Sequence, residues 1–280
     1  MTTININGTL LDLQKPCVMG ILNITPDSFY AESRKTIERD IVSRARQILE
    51  EGGTIIDVGA YSTRPGAEEV SEEEEMKRLH KALGLLRKEL PDAIVSVDTF
   101  RADVAKMCVE EYGVGIVNDI SGGTMDNRMF ETVAKLNVPY VLTHIKGTPQ
   151  DMQDEPHYDD LIREVFLYFS EKINRLHDMG LNDIILDPGF GFGKTLAHNY
   201  ELMSNLQMFR EFEVPILVGI SRKSMIYKLL NTTPQEALNG TTALNTIALL
   251  KGANILRVHD VKAAAEVVTI VECVTATSYK

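Results

Sequence analysis

Several short apolar runs in this chain end in a carboxylate, an amide or a basic side chain, and those ends are where chemistry is expected. Asp98 closes Ile94 to Thr99, Asn118 lies in Gly115 to Ile120, and Asp187 ends Ile184 to Asp187 and opens the glycine-rich turn D-P-G-F-G-F-G-K. A carboxylate accepts two hydrogen bonds side by side and an amide both donates and accepts, so the three suit the N–H-rich edge of a neutral heterocycle. A second set is basic: Arg64 in S-T-R-P-G, Ser221-Arg222-Lys223 at an expected helix start, and Arg257 with His259. Cationic side chains beside the N–H groups of a helix start suit a carboxylate or a phosphate. Together they describe a ligand with two ends, a flat ring and an anion such as a diphosphate.

Taken singly, each residue also has a plain structural use. Asp98 could cap a helix beginning near Arg101, Arg64 could pair with Glu68 or Glu69, and His259 could make a structural hydrogen bond. Three acceptor-bearing strand ends together favour a ligand, as do basic groups on three loops of an acidic protein. Two tempting motifs fail at the glycine-rich turn. Pro188 stands where the first glycine of a phosphate-cradling G-x-x-x-x-G-K-[ST] loop belongs, and the G-x-G-x-G spacing is not that of a dinucleotide fingerprint. The turn reads instead as a ligand surface in which glycines admit close approach and Phe192 presents a ring. Asn23, at another run's end, suits a hard cation beside a diphosphate that supplies most of the coordination. No carboxylate cage, H-x-x-x-H or C-x-x-C pair points to zinc, so the cofactor expected is Mg2+ arriving with the substrate. Lys223 suits hydrogen bonding to a ligand better than a Schiff base, and His80, His157, His177 and His198 fall in helical or connecting segments.

Elements that would carry these residues alternate along the whole chain. Strand-like runs are Val18 to Ile24, Ile55 to Gly59, Ile94 to Thr99, Gly115 to Ile120, Tyr140 to His144, Ile184 to Asp187, Ile216 to Ile220 and Ile255 to His259. Most are continuously apolar, as parallel strands covered on both faces are. Between them lie amphipathic stripes: Ile37, Ile41, Ala45 and Ile48; Met76, Leu79, Leu83, Leu86 and Leu90, opened by a Ser71/Glu74 capping box and stopped by Pro91; and Leu161 to Leu176, closed by Gly180. Ala237 to Leu250 and Val261 to Val274 complete the set, and the acidic run Glu72 to Glu75 reads as a solvated helix start. Eight strand–helix units without a Pro/Gly/Ser-rich linker predict α/β architecture, a single (β/α)8 TIM barrel over residues 1–280. In that fold the active site lies at the C-terminal ends of the strands.

Composition narrows the partners. Of 280 residues 44% are hydrophobic, enough for a large core, and the net charge of -11 disfavours nucleic acid and anionic membrane as general partners. No apolar run is long enough to span a bilayer and the N-terminus does not read as a signal peptide, so a cytoplasmic location is expected. Cys17, Cys108 and Cys273 are odd in number, scattered and set in apolar sequence, which suits reduced core thiols.

The order N-I-T-P-D-S-F, D-V-G-A-Y-S-T-R-P-G, S-V-D-T, N-D-I-S-G-G, D-P-G-F-G-F-G-K, G-I-S-R-K-S and R-V-H-D resembles the bacterial dihydropteroate synthase family, from Val18 to about Glu266. The resemblance implies condensation of 6-hydroxymethyl-7,8-dihydropterin diphosphate with p-aminobenzoate, by early loss of diphosphate and then arylamine attack, in a homodimer. It implies Asp98, Asn118, Asp187, Lys223 and Arg257 at the pterin; Thr63, Arg64, Arg257 and His259 at the diphosphate; and Thr63, Pro65, Phe192, Ser221 and Lys223 at p-aminobenzoate. Asn23 would hold the magnesium, and Asn23, Arg64, Lys223, Arg257 and His259 would carry catalysis. Two segments depart from the family: Tyr30-Ala31-Glu32 replaces a flexible acid-containing stretch, and Ala60-Tyr61 replaces a Gly-Glu pair before S-T-R-P-G. The same fold and pterin pocket also occur in methyltransferases that use reduced pterins, and an inactive pterin-binding paralogue is a further alternative.

Overall fold

The computed structural model describes residues 3–24, 34–61, 70–147 and 156–277. Thr63, Arg64 and Pro65, and the departure at Tyr30-Ala31-Glu32, lie outside the described residues.

Eight parallel strands lie in one sheet: β3 (Cys17–Asn23), β4 (Ile55–Gly59), β5 (Ile94–Asp98), β6 (Ile116–Asp119), β7 (Tyr140–Thr143), β8 (Ile184–Asp187), β9 (Leu217–Val218) and β10 (Ile255–Val258). Their order runs β8-β7-β6-β5-β4-β3-β10-β9, and a parallel bridge between Leu186 and Ile216 brings the two ends of the sheet together. Neighbouring strands that are all parallel require a crossover for every pair, and helices supply it. The helices are α1 (Arg34–Glu50), α2 (Glu72–Glu89), α3 (Ala102–Tyr112), α4 (Met129–Leu136), α5 (Leu161–Asp178), α6 (Leu196–Ser204), α7 (Ser224–Tyr227), α8 (Leu238–Leu250) and α9 (Val261–Thr277). The expected (β/α)8 barrel is present, with strand boundaries shifted by a residue or two. The seventh strand is the largest difference: of Ile216 to Ile220, only Leu217 and Val218 pair as strand.

Helical stripes bury the predicted residues. Leu161, Val165, Phe169, Ile173 and Leu176 face the core from α5, and Leu79, Leu83 and Leu86 do so from α2. Ser71 accepts a hydrogen bond from the Glu74 main chain at 3.2 Å, which is half of the expected capping box, while the Glu74 carboxylate goes to Arg78 Nε at 2.9 Å. The acidic run is not wholly solvated, however. Glu75 is fully buried and pairs with Arg101 of the next loop, because helix periodicity turns the fourth residue of the run inward. Cys17 and Cys108 are buried free thiols as expected, whereas Cys273 is exposed near the end of α9.

One element was not legible as a barrel component. β1 (Thr3–Ile6) and β2 (Thr9–Asp12) form an antiparallel hairpin whose Ile4 and Ile6 pack, with Leu13, against Met19, Ile55, Ile116, Val141, Ile185, Leu217 and Ile255. These are inward-facing residues near the strand starts, so the hairpin closes the N-terminal end of the barrel with an apolar plug. Polar inward residues are thereby displaced toward the opposite end, where Asp98, Asn118 and Asp187 stand.

Candidate active site

Strand alternation decides which residues meet in the mouth. On β4, Ile55, Asp57 and Gly59 share one face, so a buried apolar residue is followed inward and upward by a carboxylate and then by a residue without a side chain. Asp57 is fully buried, and its Oδ2 accepts from Asn118 Nδ2 at 3.1 Å and from Arg257 Nε at 2.7 Å. Arg257 Nη2 donates to Asp98 Oδ2 at 2.5 Å. Four residues from four strands, β4, β5, β6 and β10, are thus tied into one polar network. The guanidinium is held between two carboxylates, which fixes its plane as well as its position.

Neither Asp98 nor Asp187 has a cationic side chain close to it in sequence that would pair with it, and the partner of Asp98 comes from the far end of the chain. Arg257 lies 159 residues from Asp98 in sequence but shares its barrel end, so the ring-reading and anion-reading sets interlock rather than separate. Burial pushes the Asp98 carboxyl up to about 7, with Arg257 opposing and Asp57, Glu75 and Asp119 adding to the rise. The proposed cap at Asp98 is absent: Ala102 at the start of α3 donates instead to Asp126.

Asp187 is almost fully buried, and its Oδ1 accepts the Gly189 main-chain N–H at 2.8 Å. Burial raises its pKa, opposed first by Lys223 and then by that N–H, Arg257 and Lys194. Gly189, Gly191 and Gly193 all have left-handed φ (74°, 82° and 59°), which explains the glycine at each alternate place. A Cβ on Gly189 would come within 1.9 Å of the His144 carbonyl oxygen.

Lys223 reaches across from the loop after β9. Its Nζ donates to Phe190 O at 2.6 Å and lies 4.4 Å from the centroid of the half-buried Phe192 ring. Burial lowers its pKa to about 8, against the pull of Asp187, with Arg257 lowering it further and Asp98 raising it. Ser221 is buried beside it, its Oγ accepting from the His259 main-chain N–H at 3.2 Å, which joins the seventh and eighth loops. Arg222 does not serve as an anion site. Its guanidinium grips Asp260 through Nε and Nη2 (2.8 and 2.9 Å) and donates Nη1 to Pro234 O and Gln235 O. The helix start is also shorter than expected, since α7 is a single turn.

Space between the polar groups is kept by glycine. A Cβ on Gly219 would stand 3.8 Å from Arg257 Cβ and 3.9 Å from Asp187 Oδ2; one on Gly59 would stand 3.6 Å from Asn23 Oδ1 and 3.7 Å from Asp98 Oδ2. The mouth therefore brings Asn23, Asp98, Asn118, Asp187, Phe192, Ser221, Lys223, Arg257 and His259 to one barrel end. Asp57 joins the site without being among the residues singled out by sequence; its parity with Gly59 on β4 is the signal that it points inward. Lys194 and His144, buried beneath the glycine-rich turn and bonded to each other, carry no comparable signal in the sequence.

Such a site can read a flat, N–H-bearing ring with buried acceptors while cations stand over and beside it. Residues 19–259 match the family of pterin binding enzymes. The dihydropteroate synthase of Escherichia coli K12 is 45% identical over 267 residues, covering 95% of this chain and 94% of its own; that of Bacillus subtilis 168 is 38% identical, covering 92% and 88%. The dihydropteroate synthase of Yersinia pestis, solved with a sulfonamide drug, superposes with a TM-score of 0.91 at 42% identity over 98% of this chain and 100% of its own.

Proposed function

Because the chain belongs to the pterin-binding enzymes, and within them to the dihydropteroate synthases, a transferase group, we propose that its mouth joins a dihydropterin methylene to the amine of p-aminobenzoate with release of pyrophosphate. The observation that carries the reading is the network in which Asp57, Asp98, Asn118 and Arg257 meet above an apolar barrel floor, with Asp187 and Lys223 across the same opening.

Asp98, Asn118 and Asp187 accept and donate along the pterin's N–H edge, and Lys223 donates to its acceptor atoms. Arg257, oriented by Asp57 and Asp98, lies on the ring face. On the anionic side, Arg257 and His259 with Thr63 and Arg64 receive the diphosphate and stabilise the charge that develops as it leaves. The electron-rich pterin carries the resulting methylene cation. The arylamine, lying against Phe192 and Pro65 and held through its carboxylate by Ser221, Thr63 and Lys223, then attacks. The proton that the attacking amine must then shed is acidic on the cationic adduct and passes to water or to the departing pyrophosphate, so no strong general base is needed.

Magnesium is read as part of the diphosphate substrate. Among the described residues no group of three His, Cys, Asp or Glu is placed to hold an ion, and Asn23 offers one exposed amide oxygen at the end of β3. One neutral donor does not make a resident site, but it does fit an octahedral ion that keeps phosphate oxygens and waters as its other ligands.

The chain is further read as one domain, as cytoplasmic and as a homodimer. No described helix is long and apolar enough to cross a membrane, and Leu238, Ile247 and Leu250 of α8 with Ile270 and Val274 of α9 are exposed apolar residues on adjoining helices. Sedimentation would test the dimer. The function is tested by mixing protein, Mg2+ and the dihydropterin diphosphate with and without p-aminobenzoate. Arylamine-dependent formation of dihydropteroate and pyrophosphate is expected, and its absence overturns the assignment. Methyl transfer from methyltetrahydrofolate to a corrinoid would support the methyltransferase alternative instead.

A further inference from the structure

The sixth loop holds a lysine that the proposed chemistry does not use. Lys194 is 3% exposed, yet its three hydrogen-bond acceptors are His144 Nδ1 (2.8 Å), Gly189 O (2.9 Å) and Phe192 O (3.0 Å) rather than a carboxylate. Lysines are almost never buried this far, because dehydrating an ammonium costs several kcal/mol (roughly) unless its donors are all met. Burial pushes its pKa down to about 7, with Asp187 opposing and Lys223 adding. Burial, with Lys194 next, also drives His144 well below the usual imidazole range, so His144 is neutral and its Nδ1 faces the ammonium as an acceptor.

The geometry around the turn shows what this placement does. Left-handed glycines at 189, 191 and 193 allow carbonyls of one short segment to face different sides. Gly189 O and Phe192 O go to Lys194 beneath, and Phe190 O goes to Lys223 on the other side. Asn199 takes the Gly191 N–H at 2.7 Å, and the Tyr158 hydroxyl donates to Gly193 O at 2.8 Å. The main chain on both sides of the Phe192 ring is thereby pinned, with the ring itself facing Lys223.

We propose that Lys194, through its bonds to His144, Gly189 and Phe192, is a positioning residue that sets the Phe192 wall for the arylamine and bears on the pterin side more weakly. Lys194 bonds the Phe192 carbonyl directly but reaches Asp187 only at second hand, through its charge and through Gly189 and His144, whose main-chain N–H groups hold Asp187.

The inference rests on the synthase reading, and wild-type turnover tests that reading separately: no product from wild type sinks the synthase, whatever the variants do. With active wild type, Lys194→Met is expected to raise the KM for p-aminobenzoate about tenfold, since small misplacement of a wall costs that much, while the KM for the pterin diphosphate rises by a clearly smaller factor. Both KM values unchanged, or both raised alike, would overturn the proposal, as would a fall in thermal stability alone. Should Lys194→Met fail to fold, a second pair decides. His144→Asn keeps an acceptor for the ammonium and is expected to hold the arylamine KM within about twofold of wild type, whereas His144→Leu raises it several-fold. Equal arylamine KM in those two variants would overturn it.

Discussion

Arg257 donates its Nε to Asp57 Oδ2 across 200 residues of chain, and the same oxygen also accepts from Asn118. Asp57 has no exposure, so it cannot contact bulk solvent and acts on a ligand through the two side chains it orients. Asp57→Ala leaves a guanidinium in the barrel with one carboxylate fewer, and removing one partner of a buried pair costs about 3 to 5 kcal/mol. A clearly lowered Tm and weakened binding of the pterin diphosphate are expected together, measured by calorimetry. Asp57→Asn, which keeps an acceptor, is expected to lie between that variant and wild type.

Asp187→Asn changes a charged acceptor to a half-donor at a buried position of the mouth. Pterin affinity is expected to fall by about tenfold or more, because a buried hydrogen bond to a charged group is worth about 1.5 to 3 kcal/mol. Unchanged calorimetric affinity would remove Asp187 from the ring's edge.

Lys223 provides the pH dependence. Its folded pKa of about 8 lies below the ordinary lysine value, first because it is buried. The ammonium is therefore present below that pH and is lost as pH rises through it. With the free enzyme's charge state governing kcat/KM, the p-aminobenzoate value is expected to fall on the alkaline side of about 8. Lys223→Ala should lower kcat/KM for both substrates and flatten that alkaline limb; a limb that persists in the variant would assign it to another group.

Gly219→Ala is a steric test with a built-in control. The added methyl meets Arg257 Cβ and Asp187 Oδ2 at ordinary contact distances of 3.8 and 3.9 Å, so folding should tolerate it, with stability changed by less than about 1 kcal/mol. A ligand that fills the space between Asp187 and Arg257 meets that methyl. Pterin KM should rise at nearly unchanged Tm, and an unaffected KM would place the ring elsewhere in the mouth.

Much of this architecture is legible in the sequence because parallel strands and helices impose different periods. The runs at Ile55 and Ile184 and the stripe from Leu161 to Leu176 lie where their patterns place them. Strand-end position was enough to collect Asp98, Asn118, Asp187 and Arg257 at one end of the barrel. What a linear reading does not carry is who pairs with whom: the Asp98–Arg257 bond, the diversion of Arg222 to Asp260, and the turning inward of Glu75 all depend on three-dimensional neighbours. The β1–β2 hairpin was missed for a related reason. Its short alternating strands, Thr3–Ile6 and Thr9–Asp12, precede the repeating pattern and belong to it only by packing.

That hairpin has a bearing on traffic. With Ile4, Ile6 and Leu13 filling one end, the described barrel is a cup, and everything that enters must leave past the same rim. On the proposed reading the pterin ring lies lower, against Asn118 and Asp187, and the arylamine lies higher, against the half-buried Phe192. An arylamine seated early would obstruct the pterin's way down, so on this reading the pterin diphosphate loads first, and after reaction the joined product leaves past the same rim with its ring last. On that reading, a blind-ended vessel of this shape favours one order of arrival by its geometry.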